Sequence, residues 1–332
     1  MDIANQNQDT RCVNAQEMDR LSSWANRKPV IAVMGEFSSG KSTLLNMLVG
    51  ETILPTQVTA TRLPPVWFKY GDKAPFWMDK AGQKHAVDPH NLGSVPVNEA
   101  RFIRIYEKSE HLLQCDMIDT PGISDPNIPT DSWINTISYA NSVLWCTHAG
   151  QAWRESERGQ WESLPDRLRE NSLLLVTRAD KIVSRVDLDK INRRLHRETS
   201  DLFNAHHFIS LTRAIDSLEG KGDADLWLRS GAEAFMASFD NILAEIKKRR
   251  IQVLSRYQSV AEKPINLQVQ QQSDDSQKPL IETAKSNVEE KHTETVSILR
   301  PKRAKIIASN QKRVRLNKDD AAKMRNDALL KM

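Results

Sequence analysis

The sequence predicts an α/β fold in which a mostly parallel β-sheet is flanked by helices and carries further appended α-helical segments. Two observations support this prediction. Short apolar runs rich in β-branched residues recur through the first two thirds of the chain, and helical patterns lie between several of them. Such alternation is typical of a parallel sheet covered on both faces. The apolar runs occupy residues 30–34, 101–106, 115–118, 142–147, 173–177 and 207–211.

Length and composition agree with this fold class. The chain has 332 residues, of which 39% are apolar and 27% charged, enough for one sizeable domain with extra polar helices. No apolar run reaches the ~20 residues that span a bilayer, and the polar first ten residues lack the pattern of a secretory signal. We therefore expect a cytoplasmic protein, with peripheral membrane contact as a further candidate.

The three cysteines, Cys12, Cys115 and Cys146, are an odd number at unrelated spacings, and the last two lie in apolar runs. We expect all three to be reduced core residues. No CxxC pair or histidine cluster has the spacing of metal ligands.

Changes in composition divide the chain into segments. Glycine and proline nearly vanish from residue 225 to about 259, where apolar residues fall at helical spacing, so one long helix is expected. An aromatic pair followed by Lys80-Ala81-Gly82 predicts a β-hairpin inserted at 71–87. The predicted segments are an N-terminal helix at 1–27, a main domain at 28–222, the long helix at 223–261, a flexible linker at 262–280 and a basic helical tail at 281–332.

Positive charge is concentrated at the end of the chain. Residues 299–332 hold eleven Lys/Arg and three Asp/Glu, a net +8 within a chain whose total is +4. The clusters at 300–305 and 312–315 are candidate contacts for an anionic membrane surface, a protein partner or RNA. No aromatic residue is interleaved with them, which makes RNA the weaker candidate. A solvated charged helix is an equally weighted alternative.

The clearest motif lies between the first predicted strand and the helix at 41–49. Residues 35–42 fit G-x-x-x-x-G-K-[ST], a loop whose backbone N–H groups and helix N-terminus bind phosphates. Lys41 would reach the β- and γ-phosphates, and Ser42 would ligate Mg²⁺. The sequence therefore predicts a nucleotide-binding phosphate loop.

A second motif, Asp119-Thr120-Pro121-Gly122, follows the strand predicted at 115–118. In this setting Asp119 suits the Mg²⁺ shell and the N–H of Gly122 suits the γ-phosphate. A simple turn is the alternative, because DxxG tetrapeptides are common in turns.

The third motif, Thr177-Arg178-Ala179-Asp180, ends the strand at 173–177. An aspartate here can accept two hydrogen bonds from guanine, and adenine does not supply that donor pair. The alternative is a strand-end aspartate that caps the next helix. Ser210 is a weaker candidate for supporting the base through its backbone.

Acidic and aromatic residues follow Gln151 at helical spacing. They resemble an exposed helical stretch, and we expect them to be ordinary helix surface and packing. They are Trp153, Glu155, Glu157, Trp161 and Glu162.

With these motifs in this order, residues 30–211 resemble the dynamin-superfamily GTPases, and more closely the bacterial dynamin-like proteins, whose phosphate loop often matches GEFSSGKST. The resemblance implies a dynamin-type GTPase domain at 28–222 that binds GTP or GDP with Mg²⁺. It places Thr61, in the segment 54–62, at the Mg²⁺-binding threonine of the first switch, with Thr56 and Thr59 as competitors. It also gives Ser38 a role in stabilising charge between the phosphates.

The chain departs from parts of that pattern. Phe37 stands where eukaryotic dynamins have glutamine, and Ile123 follows Gly122 where small regulatory GTPases keep a water-orienting glutamine. Only about 70 residues follow the long helix, too few for the long stalk of a dynamin mechanoenzyme. The resemblance implies hydrolysis completed by dimerisation across the nucleotide faces, and a small bundle of the N-terminal and long helices.

Together these observations predict a GTPase acting through a nucleotide-dependent homodimer, with a membrane surface as a candidate site of action. The alternative is a slow regulatory switch that recruits a protein or RNA partner. Predicted catalytic residues are Ser38, Lys41 and Thr61, and predicted metal ligands are Ser42, Thr61 and Asp119. Predicted nucleotide-binding residues are Gly35, Glu36, Phe37, Ser38, Ser39, Gly40, Lys41, Ser42, Thr43, Asp119, Gly122, Thr177, Arg178 and Asp180.

Overall fold

A computed structural model describes residues 10–50, 53–54, 63–122 and 135–259. Thr56, Thr59, Thr61 and Ile123 lie outside the described residues. So do the linker predicted at 262–280 and the basic tail predicted at 281–332.

The strands are short, as their apolar runs predict. They are β1 Arg11–Val13, β2 Val30–Gly35, β3 Val66–Tyr70, β4 Phe76–Asp79, β5 Lys84–Ala86, β6 Ala100–Glu107, β7 Asp116–Asp119, β8 Ser142–His148, β9 Leu173–Thr177, β10 Ala205–Phe208 and β11 Tyr257–Ser259.

Helices lie between most of these strands. They are α1 Ala15–Ala25, α2 Lys41–Val49, α3 Glu110–Gln114, α4 Glu155–Glu162, α5 Asp166–Arg169, α6 Arg185–Thr199, α7 Leu211–Leu218, α8 Leu226–Arg229 and α9 Ala232–Leu254, with short 3₁₀ turns at Leu92–Ser94, Ala149–Gln151 and Ala179–Lys181.

Within the described residues the main sheet has nine strands in the order β10-β9-β8-β2-β7-β3-β6-β4-β5. β2 is central and pairs in parallel with β7 and β8, and the parallel arrangement continues through β9 to β10. β3 runs antiparallel to β7 but parallel to β6. The predicted α/β class with a mostly parallel sheet is confirmed.

The hairpin predicted at 71–87 is formed by β4 and β5, which pair antiparallel. β4 also pairs antiparallel with β6, so the hairpin forms one edge of the main sheet. The strand β3 was not predicted, because its aromatic run comes directly after two prolines, at 64 and 65, which usually mark turns.

Each face of the sheet has its own core. Along β2, Ile31 and Val33 lie in one buried cluster with α2 and α9, while Ala32 and Met34 lie in a second cluster with Trp145 and Trp161. This alternation is the two-residue period of a strand. It holds the end of β2, where the phosphate loop begins, between two packed layers.

The long helix α9 begins later than predicted. Gly231 precedes it with φ 82°, and a Cβ at that position would lie 2.0 Å from the carbonyl oxygen of Phe208. Only glycine fits such a close approach at positive φ, so the chain turns here and α8 is a separate short helix. The expectation of one unbroken helix from residue 225 to about 259 was therefore wrong, and at its other end α9 stops at Leu254, before β11.

The first helix, α1, packs on the long helix, α9, near the N-terminal end of β2. The guanidinium group of Arg250 lies 5.8 Å from the ring centroid of Trp24, and its Nη2 donates to Asn141 Oδ1 at 2.8 Å. The same Asn141 oxygen accepts from the N–H of Val30 at 2.9 Å. The strand before α1, β1, pairs in parallel with the strand after α9, β11.

All three cysteines are free. Cys115 and Cys146 are buried as expected, but Cys12 is exposed on β1, so its assignment to the core was wrong. A two-stranded sheet has too little cover to bury every side chain. Among the described helices, none is both long and apolar enough to cross a membrane.

Candidate functional site

The phosphate loop begins at the last residue of the central strand, where the backbone of a neighbouring strand lies close. Gly35 has φ 141°, and a Cβ there would lie 2.1 Å from the carbonyl oxygen of Cys146 on β8. Gly40 has φ 92° and is the residue before the first turn of α2. Both positions require glycine, and together they turn the chain so that α2 starts at the strand edge.

Neighbouring strand ends hold the middle of this loop. Ser38 has φ 58°, an uncommon value for a residue with a side chain, and its carbonyl accepts from Arg178 Nη2 at 2.9 Å. The carbonyl of Ser39 accepts from Thr177 Oγ1 at 2.8 Å, and the same hydroxyl lies 3.2 Å from the carbonyl of Thr147. Two residues of the third motif, Thr177 and Arg178, thus hold the phosphate loop in place.

Lys41 lies inside the loop and is only 7% exposed. Its ammonium group donates to the carbonyl oxygens of Gly35 at 3.0 Å and Glu36 at 2.7 Å. Burial lowers the pKa of Lys41, and negative charge on Asp119 opposes that shift. A buried cation hydrogen-bonded only to neutral carbonyls would gain from an anionic ligand such as phosphate.

Ser42 and Asp119 meet at the adjoining ends of α2 and β7. Ser42 Oγ donates to Asp119 Oδ2 at 3.3 Å, while Asp119 Oδ1 is buried and has no hydrogen-bond partner among the described residues. Burial raises the pKa of Asp119 to about 6, although Lys41 and the Ser42 hydrogen bond oppose the shift. A hydroxyl beside an unpartnered carboxylate oxygen is a donor set that suits Mg²⁺. Thr43 follows in the same first turn of α2.

The segment after β7 lies directly over the phosphate loop. Thr120 Oγ1 donates to the carbonyl of Val33 at 2.8 Å, which fixes the segment to β2. A Cβ on Gly122 would lie 3.2 Å from both Cα and N of Phe37, so a larger residue would press on the loop. The Phe37 side chain itself is 46% exposed.

The predicted base-reading aspartate lies in the 3₁₀ turn after β9. Asp180 Oδ1 accepts from Ser210 Oγ at 2.8 Å, and its Oδ2 lies 3.8 Å from Lys181 Nζ. The N–H of Ser210 already donates to the carbonyl of Ser230 at 2.8 Å. Ser210 therefore contacts Asp180 through its hydroxyl group, a contact that the sequence interpretation did not include.

The helical stretch after Gln151 departs at one residue from the surface and packing that its composition indicated: Glu155 and Glu162 are exposed as expected, but the glutamate between them is not. Glu157 is 2% exposed, and it accepts from Trp145 Nε1 at 3.0 Å and Thr147 Oγ1 at 2.9 Å. Burial raises the pKa of Glu157. Trp153 and Trp161 are also buried, as the packing interpretation expected. The sequence around Glu157 gives no signal for its burial, because the groups that donate hydrogen bonds to it are distant in sequence or belong to the backbone.

The same stretch contacts the phosphate loop, which sequence reasoning missed. Glu36 Oε1 accepts from Ser156 Oγ at 2.7 Å, and Glu36 Oε2 lies 3.4 Å from Arg154 Nη1. The partners are about 120 positions apart, so no local spacing could reveal them. All predicted site residues except Thr61, which lies outside the described residues, come together at the carboxyl ends of β2, β7 and β9.

Comparison with known proteins gives a consistent result. Residues 31–179 match the sequence model described as Dynamin family. The chain is 24% identical over 194 residues to Dynamin-like protein 2 of Campylobacter jejuni and 24% identical over 153 residues to a bacterial dynamin-like protein of Nostoc punctiforme. It is also 28% identical over 116 residues to isoniazid-induced protein IniC of Mycobacterium tuberculosis.

These matches cover 53%, 40% and 32% of this chain, and 30%, 22% and 24% of the respective relatives. The chain thus matches less than a third of each curated relative's length. A solved structure described as an oligomerised bacterial dynamin pair for the long-range sensing and tethering of membranes has a TM-score of 0.50 and 17% identity, covering 74% of this chain and 40% of that one. At this identity the likeness concerns the fold.

Proposed function

We propose that this chain, whose residues 31–179 form a dynamin-superfamily GTPase domain, binds GTP and hydrolyses it to GDP and phosphate with Mg²⁺. The observation that carries the proposal is the meeting of Lys41, Ser42 and Asp119 at one edge of the sheet, where Asp119 Oδ1 has no hydrogen-bond partner within the described part of the chain. Phosphate and a divalent cation are the groups that satisfy such an arrangement.

The phosphate-binding role belongs to the loop from Gly35 to Thr43. In a loop of this kind backbone N–H groups and the N-terminus of the following helix, here α2, bind phosphate, because the helix dipole there favours negative charge. Lys41 provides the positive charge within the loop, and Ser38 lies in the middle of the loop where charge develops between the phosphates. The fixed carbonyls of Ser38 and Ser39 support this role, because a held loop needs little reorganisation on binding.

Mg²⁺ fits the Ser42 and Asp119 donor set, and we place Thr61 with them as the third ligand from the chain. When bound, the ion neutralises charge on the β- and γ-phosphates. Ser42 and Asp119 contribute one hydroxyl and one carboxylate oxygen. The pair is already within hydrogen-bond distance.

Guanine selectivity belongs to Asp180. Its carboxylate can accept the ring N–H and the amino group of guanine, and Ser210 orients it. An adenine base would leave this acceptor unpaired, which costs binding energy. Thr177 and Arg178 connect the base site to the phosphate loop.

Hydrolysis would depend on Ser38, Lys41 and Thr61, because nonpolar Phe37 and Ile123 stand where other GTPases use glutamine. A nonpolar side chain does not orient water. One structural neighbour is described as an oligomerised bacterial dynamin pair, and we propose for this chain a nucleotide-dependent homodimer in which a second chain completes the site. The exposed Phe37 ring beside Gly122 is on the surface that such a partner would approach.

The nonpolar residues Phe37 and Ile123 also favour a second candidate, a slow regulatory GTPase switch. With both glutamine positions nonpolar, a single chain lacks a side chain that orients water at these positions, and hydrolysis would act only as a reset. In that case the ordered loops would recruit a protein partner.

A membrane surface is the proposed place of action for the leading candidate. The net +8 charge of residues 299–332 would attract anionic lipid, and one structural neighbour is described as sensing and tethering membranes. A protein partner is the alternative occupant of the tail, and RNA is a weaker one.

The test is phosphate release from GTP per molecule, measured across a 100-fold range of protein concentration with and without anionic liposomes. The dimer proposal expects the rate per molecule to rise with concentration, and the membrane proposal expects liposomes to raise it further. A chain ending at residue 298 is the matched control for the tail. A low rate that is flat in concentration and unaffected by liposomes would favour the switch.

A further inference from the structure

A cavity of about 530 Å³ lies beside the phosphate loop, between the segment 149–154 and α6. No residue from 35 to 43 lines it, so it is distinct from the nucleotide site described above. Its size falls within the ~300–1,000 Å³ of small-molecule sites. A free phosphate ion would fill only part of it.

Three cationic side chains line the cavity. Arg154 contributes from one side, and Lys190 and Arg194 from successive turns of α6. Trp153 also lines the cavity, and its buried indole N–H has no hydrogen-bond partner among the described residues. The carbonyl of Ala152 is already engaged by Arg194. No carboxylate lines the cavity, so the wall suits an anion.

Nearby carboxylates neutralise this charge only in part. Lys190 Nζ lies 3.3 Å from Asp187 Oδ1 and Arg154 Nη1 lies 3.4 Å from Glu36 Oε2. Both pairs involve exposed cations and are weak by the usual standard of surface ion pairs. Arg194 forms no ion pair with any residue in the described ranges. The cavity therefore keeps a net positive charge.

We propose that this cavity binds a small organic anion bearing a phosphate group. Two guanidinium groups provide the planar donors that phosphate oxygens accept in pairs. The indole N–H of Trp153 provides a further donor, and the aliphatic side chain of Ile191 gives apolar wall for the rest of the ligand.

The site would regulate the phosphate loop, because Arg154 contacts both the cavity and the loop. It lines the cavity, and it also pairs with Glu36, whose main-chain carbonyl accepts a hydrogen bond from Lys41. A phosphate group that engages Arg154 competes with Glu36 for it and so alters the surroundings of Lys41. Coupling of this kind is reciprocal, so nucleotide binding changes the affinity of the cavity as well.

The experiment titrates pyrophosphate and inorganic phosphate into the full chain carrying Lys41→Ala, at constant ionic strength, by calorimetry. Removing the loop's cation weakens binding of the probe at the nucleotide site, and the cavity substitutions below act on the second site alone, so the result does not depend on whether the chain binds GTP. We expect one saturable site with pyrophosphate tighter than phosphate. Arg194→Gln and Lys190→Gln should each weaken pyrophosphate by about tenfold.

The matched control is Arg193→Gln, which removes the same charge from an exposed neighbour on α6 that does not line the cavity. It should change the affinity for pyrophosphate by less than about twofold, since salt screens the long-range electrostatic effect of an exposed charge. Equal weakening by all three substitutions, or no saturable binding, would overturn the site. The competition between Glu36 and the ligand for Arg154 is tested by adding Glu36→Gln, which releases Arg154 and should tighten pyrophosphate binding; unchanged or weaker binding would overturn this competition and, with it, the coupling.

Discussion

Ser210 Oγ donates a 2.8 Å hydrogen bond to Asp180 Oδ1, joining the start of α7 to the turn after β9. The bond spans 30 positions and orients a carboxylate whose side chain is 19% exposed. The aspartate that would read the base is therefore held before any base arrives. Such preorganisation reduces the cost of ordering on binding.

Asp180→Asn should change the base that the chain prefers. The amide keeps one acceptor but turns the other into a donor, which opposes the guanine amino group and matches the carbonyl of xanthine. We expect GDP binding to weaken by about 100-fold and xanthosine diphosphate to bind more tightly than GDP. Fluorescent-nucleotide titration measures both.

Ser210→Ala is the control for that experiment. It removes the orienting hydroxyl but leaves the carboxylate, so guanine should remain the preferred base with affinity reduced by about threefold to tenfold. Unaltered base preference in Asp180→Asn would contradict the assignment of Asp180.

Arg178→Ala should loosen the phosphate loop. It removes the 2.9 Å hydrogen bond to the carbonyl of Ser38, a residue at φ 58°. GDP affinity should fall by about threefold to tenfold, the effect of one hydrogen bond. Arg197→Ala, which removes a 79% exposed arginine on α6, should leave the affinity unchanged in the same titration. An equal loss in both variants would indicate a general charge effect.

Gly35→Ala and Gly159→Ala make the same substitution, but we expect them to change the free energy of unfolding in opposite directions. Gly35 has φ 141°, and the new Cβ would lie 2.1 Å from a backbone oxygen, so the free energy of unfolding should fall by at least about 2 kcal/mol. At Gly159, inside α4, nothing lies within 4 Å of the new Cβ, and it should rise by about 0.5–1 kcal/mol. Urea denaturation measures both, and a neutral Gly35→Ala would contradict the close approach.

Stability should depend on the protonation of His207, whose Nε2 lies 2.9 Å from Ser238 Oγ beneath α9. Burial, and then His206, lower the pKa of His207 below its ordinary 6.5. The unfolded chain therefore takes up the proton first, so stability is lost as pH falls through 6.5 towards the lower folded pKa. His207→Gln should reduce the drop in melting temperature between pH 7.5 and 5.5, while His90→Gln, at an exposed turn, should not.

The sequence predicts the central sheet well because a strand's apolar run is a local property. The strands at 100–107, 116–119, 142–148 and 173–177 lie within one residue of the predicted bounds. The last strand ends at Phe208 rather than near residue 211, because Ser210 already precedes the first turn of α7. That boundary depends on tertiary contacts with Ser230 and Asp180, which no local pattern contains.

The sequence likewise predicts some features of the candidate site and not others. The phosphate loop and the two aspartates are visible in sequence because the spacing itself encodes the chemistry. The contacts of Glu36 with Arg154 and Ser156 are not, since they join residues far apart in the chain. Glu157 shows the same difference: a glutamate among charged residues predicts surface, and only the folded chain places its carboxylate against Trp145 and Thr147.

The most direct test of the proposed function is phosphate release from Mg²⁺-GTP by the unchanged chain and by Lys41→Ala, with Mg²⁺-ATP as the comparison substrate. Lys41 is the buried cation of the phosphate loop, so its removal should lower the rate by about 100-fold or more. The unchanged chain should release phosphate from GTP and not from ATP. Equal rates for the two chains, or equal use of the two nucleotides, would contradict the proposed GTPase site.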